Sequence, residues 1–201
     1  MRHRPKAHLI HGAFDPNGSR FIDWLAPYFE ARGYEPVADF DYGWTGIFSA
    51  VFFNRRWARL LKASVSPGDV GVGHSNGCHV LKVAADLGAP FRTLILLNPA
   101  LDRRTVFAPQ IENIFVFHSP SEISTLIARF LPWHPWGDMG RGGYRGDDPR
   151  VVNINVESPY EHAVKGHTGV STDKEFWGPQ IAACAHRPPK NPADRSPHLT
   201  V

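Results

Sequence analysis

Short apolar runs alternate with longer amphipathic stretches along most of the chain. The short runs are typical of strands buried on both faces, and they cover residues 7–11, 36–40, 69–73, 92–97, 113–117 and 151–156. Between them, apolar residues recur at helical spacing in residues 19–32, 46–63, 78–87, 122–131 and 173–185, the second stretch forming one or two helices. This alternation predicts an α/β fold, a three-layer α/β/α sandwich around a mostly parallel sheet of about six strands.

Two stretches break the alternation. Residues 132–149 are rich in glycine, proline and aromatic residues and are too long for an ordinary connection, which is typical of an active-site lid or a surface loop. We expect residues 132–144 to form a mobile cover over a site rather than part of the core. Residues 186–201 contain four prolines and several charges, a composition that predicts a disordered tail. Residues 1–185 are then expected to form a single domain.

The composition and charge argue against several classes of protein. The chain has 201 residues, of which 42% are hydrophobic and 20% are charged, and this balance excludes a wholly disordered chain. No apolar run reaches the ~18 residues of a membrane span, so we expect no integral membrane association. The formal net charge is +3, and away from the chain ends the basic residues cluster in residues 55–62. Such a cluster favours a solvated helix face, and no nucleic-acid partner is expected.

The cysteines and histidines give no sign of a metal centre. Cys78 and Cys184 are the two cysteines, and without a CxxC pair they indicate neither a disulfide scaffold nor a zinc knuckle. His79 and His118 lack the spacing of metal ligands, so neither a metal nor a cofactor is expected. The charges and Pro5 near the N-terminus do not fit a signal peptide, which together with the unpaired cysteines predicts a reducing, cytoplasmic setting.

The strongest chemical signal is the sequence Gly-His-Ser-Asn-Gly at residues 73–77. A predicted strand runs into this motif and a predicted helix leaves it, which is the setting of a nucleophilic serine on a sharp turn. Gly73 and Gly77 keep side chains out of the crowded flanks, so the hydroxyl of Ser75 can stand clear of the sheet. The turn also directs the first amides of the helix at the reacting centre, where negative charge develops. The alternative is a tight turn that carries no chemistry.

A nucleophilic serine needs a base and a group that orients the base. Glu122 follows the strand predicted at 113–117, and His167 lies in a glycine-flanked loop after the strand predicted at 151–156. Because parallel strands end at the same edge of a sheet, Ser75, Glu122 and His167 can converge there. The alternatives that stay open are His162 as the base and Asp102, Asp147 and Asp148 as the acid.

In these motifs and in the order of its elements, the chain resembles the alpha/beta-hydrolase superfamily. The resemblance covers roughly residues 6–184. It begins with Leu-Ile-His-Gly-Ala at residues 9–13, which looks like the family's HG motif after a strand. It continues through residues 73–77 to His-Ser-Pro-Ser-Glu at 118–122 and Gly-His-Thr-Gly at 166–169.

The resemblance implies a role for each residue of this set. Ser75 would be the nucleophile, His167 the general base and Glu122 the orienting acid, although the family more often has aspartate at the acid position. The backbone N–H groups of the oxyanion hole would come from Asn76 and from Ala13 or Phe14. The implied function is hydrolysis of an ester or related acyl bond through an acyl-enzyme, without a cofactor.

The substrate is expected to be a small ester or acyl compound. Trp133, Trp136 and Tyr144 are aromatic residues in a polar, glycine-rich stretch, and we expect them to form a lid or the wall of an acyl pocket, or else a local cluster. One alternative function is a catalytically silent binding or accessory protein with the same fold. A nucleotide-binding module of the flavodoxin type is disfavoured, because residues 11–16 lack a glycine-rich phosphate loop.

Overall fold

Six parallel strands form one sheet in the part of the chain that the structure describes. The computed structural model describes residues 4–12, 22–38, 46–123, 136–158 and 161–188, with the backbone alone described at 46–52. The strands are β1 (Lys6–Ile10), β2 (Glu35–Val37), β3 (Val70–His74), β4 (Thr93–Leu97), β5 (Asn113–His118) and β6 (Val151–Asn155). Their order across the sheet is β2-β1-β3-β4-β5-β6, and every neighbouring pair is parallel.

Helices connect and cover the strands. They are α1 (Ala26–Glu30), α2 (Gly46–Ser64), α3 (Asn76–Asp86), α4 (Met139–Gly142) and α5 (Lys174–Cys184), with short 3₁₀ turns at Asp23–Leu25 and Gly169–Ser171. Gly33 follows α1 with a φ of 84° and Gly88 follows α3 with a φ of 93°. Both glycines therefore end their helices in the left-handed conformation that glycine adopts without strain.

Each face of the sheet carries its own hydrophobic core. In β4, Leu94 and Leu96 point to one face, where they pack with residues of α2 and α3 such as Leu61 and Leu81. Their neighbours Ile95 and Leu97 point to the opposite face and pack with residues of α1 and α5. All five residues of β4 are buried, because a parallel strand at the centre of a three-layer sandwich is covered on both sides.

The predicted architecture is confirmed, and each of the six predicted strands is present. The helix predicted at 19–32 is described from residue 22 and consists of a 3₁₀ turn followed by α1. The helix predicted at 122–131 and the tail predicted at 186–201 lie mostly outside the described residues. Within the described ranges, no helix has the length and apolar character needed to cross a membrane.

The stretch predicted to be a mobile cover belongs to the folded core from residue 136 onward. Met139 is fully buried, and its backbone N–H donates to the carbonyl of Leu101 at 2.9 Å. A Cβ atom on Gly140 would lie 2.7 Å from the backbone of Asn98. The glycines thus permit close backbone packing rather than mobility, and the expectation of a cover is wrong for residues 136–144. Residues 132–135 lie outside the described residues.

Candidate active site

Ser75 stands on a strained turn between β3 and α3. Its φ is 54° and its ψ is −119°, values that a non-glycine residue adopts only where the surrounding structure enforces them. Its backbone N–H donates to the carbonyl of Leu97 at 3.0 Å, which ties the turn to the end of β4. A Cβ atom on Gly77 would lie 2.2 Å from the carbonyl oxygen of Ile10, and one on Gly73 would lie 2.8 Å from the backbone nitrogen of Cys78. Both glycines are therefore required for the turn to pack against β1 and α3.

His167 and Glu122 form a hydrogen-bonded pair at the same edge of the sheet. Nδ1 of His167 lies 2.7 Å from Oε2 of Glu122. The side chain of Glu122 is fully buried, whereas that of His167 is 22% exposed. A carboxylate only accepts hydrogen bonds, so Nδ1 of His167 is the donor to an ionised Glu122, and Nε2 is the ring nitrogen left to exchange a proton. This is the arrangement in which an imidazole acts as a general base.

His74 connects the base to the turn that carries Ser75. Its Nε2 donates to the backbone carbonyl of His167 at 2.9 Å, and the two rings lie 4.6 Å apart. A Cβ atom on Gly12 would lie 3.1 Å from the Cβ of Ser75 and 3.2 Å from Nδ1 of His74. The ends of β1 and β3 therefore lie close together, and His74 joins them to the loop of His167. Burial, reinforced by the neighbouring His167, lowers the pKa of His74 to about 3. His74 is therefore a neutral donor at physiological pH.

A buried polar network surrounds the side chain of Asn76, the residue after the candidate nucleophile. Its Oδ1 accepts hydrogen bonds from Nε1 of Trp136 at 2.8 Å and from Nδ2 of Asn54 at 2.9 Å. Its Nδ2 donates back to Oδ1 of Asn54 at 3.1 Å. All three residues are 5% exposed or less. The network holds the first turn of α3, which begins directly after Ser75.

The alternative base and acids have other surroundings in the structure. Nδ1 of His162 lies 2.7 Å from Oδ2 of Asp173, and its ring stacks on Phe176. Asp148 forms an ion pair with Arg150 at 2.6 Å. The carboxylate of Asp102 accepts from the backbone of Arg104 within its own turn, and Asp147 is exposed.

The remaining predicted site residues fall into three groups. Ala13, Phe14 and Trp133 lie outside the described residues. Trp136 is buried with its indole nitrogen on Asn76, which places it next to the turn of Ser75. Tyr144 packs against Phe107 at a ring distance of 5.9 Å in the core between the sheet and α3, which gives its ring a packing role.

Sequence reasoning missed the contribution of Asn54 to this site, whereas it predicts that His74 shapes the site through hydrogen bonds. Asn54 lies on the buried face of α2, and its polar side chain among apolar neighbours is the signal that could have identified it. His74 was noted within the glycine motif, but its hydrogen bond to a residue 93 positions later depends on how the loops fold together. Among the described residues, no group of three or more His, Cys, Asp or Glu side chains is arranged to hold a metal ion.

Comparisons with known proteins agree with this architecture. A search of the solved structures matches the pyrethroid hydrolase PytH with a TM-score of 0.61 and 15% identity, over 93% of this chain and 99% of that chain. A putative hydrolase of the alpha/beta superfamily from Xanthomonas campestris pv. campestris matches with a TM-score of 0.52 and 18% identity, over 90% and 97% of the two chains. The chain has the alpha/beta-hydrolase fold.

A third structure with the alpha/beta-hydrolase fold extends this comparison. The esterase domain of a Rhodothermus marinus protein matches with a TM-score of 0.53 and 14% identity, over 90% of this chain and 86% of that chain. No family model matches the sequence. No curated protein matches it either. At these low identities, the similarity lies in the fold rather than in the sequence.

Proposed function

We propose that this protein is a serine hydrolase that cleaves an ester or a related acyl bond of a small molecule through an acyl-enzyme on Ser75. The observation that carries the proposal is the His167–Glu122 pair, at 2.7 Å, beside a serine in a strained conformation with a φ of 54°. A structural serine does not need that strain, and the pair lies at the edge of the sheet where this serine follows its strand. The names of the matched structures, a pyrethroid hydrolase and an esterase domain, support carboxylic esters as the substrate class.

The proposed reaction follows from the protonation states of these groups. Nε2 of His167 accepts the hydroxyl proton of Ser75 as Oγ attacks the acyl carbon. The imidazolium that results is stabilised by the buried carboxylate of Glu122. The backbone N–H of Asn76, with that of Ala13 or Phe14, stabilises the negative oxygen of the tetrahedral intermediate. His167 then protonates the departing alcohol. In the second half, His167 takes a proton from water as its oxygen attacks the acyl carbon, the bond to Oγ of Ser75 breaks, and the proton passes to Oγ as the acid leaves.

Labelling with a fluorophosphonate, followed by peptide mapping, tests the proposal directly. The wild-type protein should be labelled at Ser75 and should hydrolyse p-nitrophenyl acetate. Ser75→Ala should abolish both, with an unchanged melting temperature, because it removes one half-exposed hydroxyl. Ser64→Ala, which removes an exposed hydroxyl at the end of α2, is the matched control and should retain wild-type activity. Turnover at the wild-type level in Ser75→Ala would refute the nucleophile, and a wild-type protein without labelling or turnover would favour a catalytically silent binding protein.

A further inference from the structure

Glu157, two residues beyond β6, binds the loop that carries Glu122. Its Oε1 accepts a hydrogen bond from the backbone N–H of Ser121 at 2.6 Å and another from the hydroxyl of Ser119. Ser121 directly precedes Glu122, and the backbone N–H of Glu122 donates to the carbonyl of Ser119 at 2.9 Å. One carboxylate oxygen thus fixes the turn from which the acid of the proposed triad projects.

The same two serines bind the loop that carries His167. The backbone N–H of Gly166, the residue before His167, lies 2.8 Å from Oγ of Ser119 and 3.0 Å from Oγ of Ser121. Ser119 is fully buried, so its hydroxyl has little access to water as a substitute partner. The loops of the acid and the base, 45 residues apart in sequence, are therefore joined through a pair of hydroxyl groups.

Glu157 determines the direction of these hydrogen bonds. A hydroxyl has a single proton, and the proton of Ser119 is directed to the carboxylate, which can only accept. The lone pairs of Ser119 Oγ are then turned towards the N–H of Gly166, which can only donate. Burial alone would raise the pKa of Glu157, but the hydrogen bonds from Ser119 and Ser121 outweigh it and lower the pKa. Glu157 is thus ionised at neutral pH.

We propose that Glu157 is a positioning residue, which sets the distance between Glu122 and His167 by clamping their loops through Ser119, Ser121 and Gly166. The proposal rests on the function proposed above. His167 is then held from two sides, because its own carbonyl accepts from His74 and the amide before it donates to the two serines. Without the acceptor on Glu157, the hydroxyl of Ser119 is free to turn and the two loops lose their common anchor.

Three variants at two positions, the half-buried Glu157 and the exposed Glu161, test this role in the intact protein. Glu157→Leu removes the acceptor, Glu157→Gln keeps an oxygen that accepts the same hydrogen bonds, and Glu161→Leu is the matched control at an exposed acid in the following loop. We expect kcat for p-nitrophenyl acetate to fall about 10- to 100-fold in Glu157→Leu, with KM changed by less than about threefold, because a misplaced base impairs chemistry more than binding. Glu157→Gln and Glu161→Leu should stay within about threefold of wild-type kcat.

Two outcomes of these kinetics would overturn the proposal. Wild-type kcat in Glu157→Leu would show that the clamp is dispensable. A loss in Glu157→Gln as large as that in Glu157→Leu would show that the charge acts, rather than the hydrogen bonds. If Glu157→Leu does not fold by circular dichroism, Ser119→Ala makes the same test, because it removes the hydroxyl that joins the loops. It should lower kcat in the same way, and wild-type kcat in that variant would equally overturn the proposal.

A spectroscopic readout separates this proposal from the proposed function. The Nδ1 proton of His167, bound to Glu122 at 2.7 Å, should give a far-downfield proton resonance that His167→Ala removes. Wild type and Glu157→Gln should show this resonance, and Glu157→Leu should lose it. A resonance that persists unchanged in Glu157→Leu would refute the clamp, whether or not the protein hydrolyses esters. Absence of labelling and turnover in the wild-type protein would refute the proposed function alone.

Discussion

At the scale of single residues, the candidate site depends on the protonation state that each neighbour imposes on a histidine. His167 faces a fully buried carboxylate through Nδ1, so that nitrogen carries the proton. His74 faces a carbonyl through Nε2 and remains neutral, since burial lowers its pKa to about 3. The two rings lie 4.6 Å apart, and a second cation in this space would oppose the imidazolium that the proposed reaction forms. The site therefore combines a histidine able to take up a proton, His167, with a neighbouring histidine that remains neutral, His74.

Variants of the two paired residues should differ in their effects. His167→Ala should lower kcat about 10⁴- to 10⁶-fold, because it removes the base of the proposed reaction. Glu122→Gln should cost less, about 10²- to 10⁴-fold, because it preserves the shape but offers Nδ1 an amide instead of a carboxylate. Steady-state hydrolysis of p-nitrophenyl acetate measures both. Asp148→Asn, at a carboxylate paired with Arg150, is the control for a lost acid. If Glu122→Gln keeps wild-type kcat while Asp148→Asn loses activity, the acid of the site is Asp148 rather than Glu122.

Glu122 and His167 could be predicted from the sequence because each follows a strand. Glu122 comes four residues after β5 ends and His167 lies beyond β6, so a parallel sheet brings both to the edge where β3 ends at Ser75. Glu157 lies only two residues beyond β6, yet a carboxylate near a strand end has no distinguishing pattern in the sequence. Its importance arises from hydrogen bonds to residues 36 and 38 positions away, which only the folded chain reveals.

At the scale of secondary-structure elements, the segment around α4 is the clearest departure from the predicted organisation. Glycine and aromatic residues indicated mobility, but the backbone N–H of Gly140 donates to the carbonyl of Pro99 at 2.8 Å, and its carbonyl accepts from Ser119 at 2.9 Å. The segment thus packs between the residues that follow β4 and those that follow β5. Composition alone does not distinguish a glycine that permits flexibility from one that permits close approach. The central strands β4 and β5, by contrast, were predictable because buried parallel strands are continuous apolar runs.

Trp136, at the start of that segment, should contribute to the stability of the folded protein. Trp136→Ala should lower the free energy of unfolding by about 3–5 kcal/mol, because a buried indole is removed. Trp136→Phe keeps a ring but leaves Oδ1 of Asn76 without one donor, and should cost about 1–3 kcal/mol. Urea unfolding and the ratio of kcat/KM between short and long acyl esters together measure the outcome. Unchanged stability with an altered acyl-chain profile would instead assign Trp136 to the substrate pocket.

At the scale of the whole molecule, several buried histidines remain neutral in the folded protein. Burial lowers the pKa of His74 to about 3 and that of His79 to about 4, and it also lowers the pKa of His8 and His118. In the unfolded chain these groups return to a value near 6.5. Below that pH the unfolded chain binds protons that the folded protein does not, so the free energy of unfolding falls as the pH falls.

His74 offers the sharpest test of this acid sensitivity, because it is 4% exposed and its pKa is lowered to about 3. Its contribution to stability is complete above pH ~6.5 and is lost progressively as the pH falls towards 3, which amounts to about 2 kcal/mol between pH 7 and pH 5. The free energy of unfolding of His74→Gln should therefore fall about 2 kcal/mol less than that of wild type over this range. Urea unfolding at pH 7 and pH 5 measures the difference, with His186→Gln, at an exposed histidine, as the control. An equal fall in His74→Gln and wild type would contradict the assignment of a neutral, buried His74.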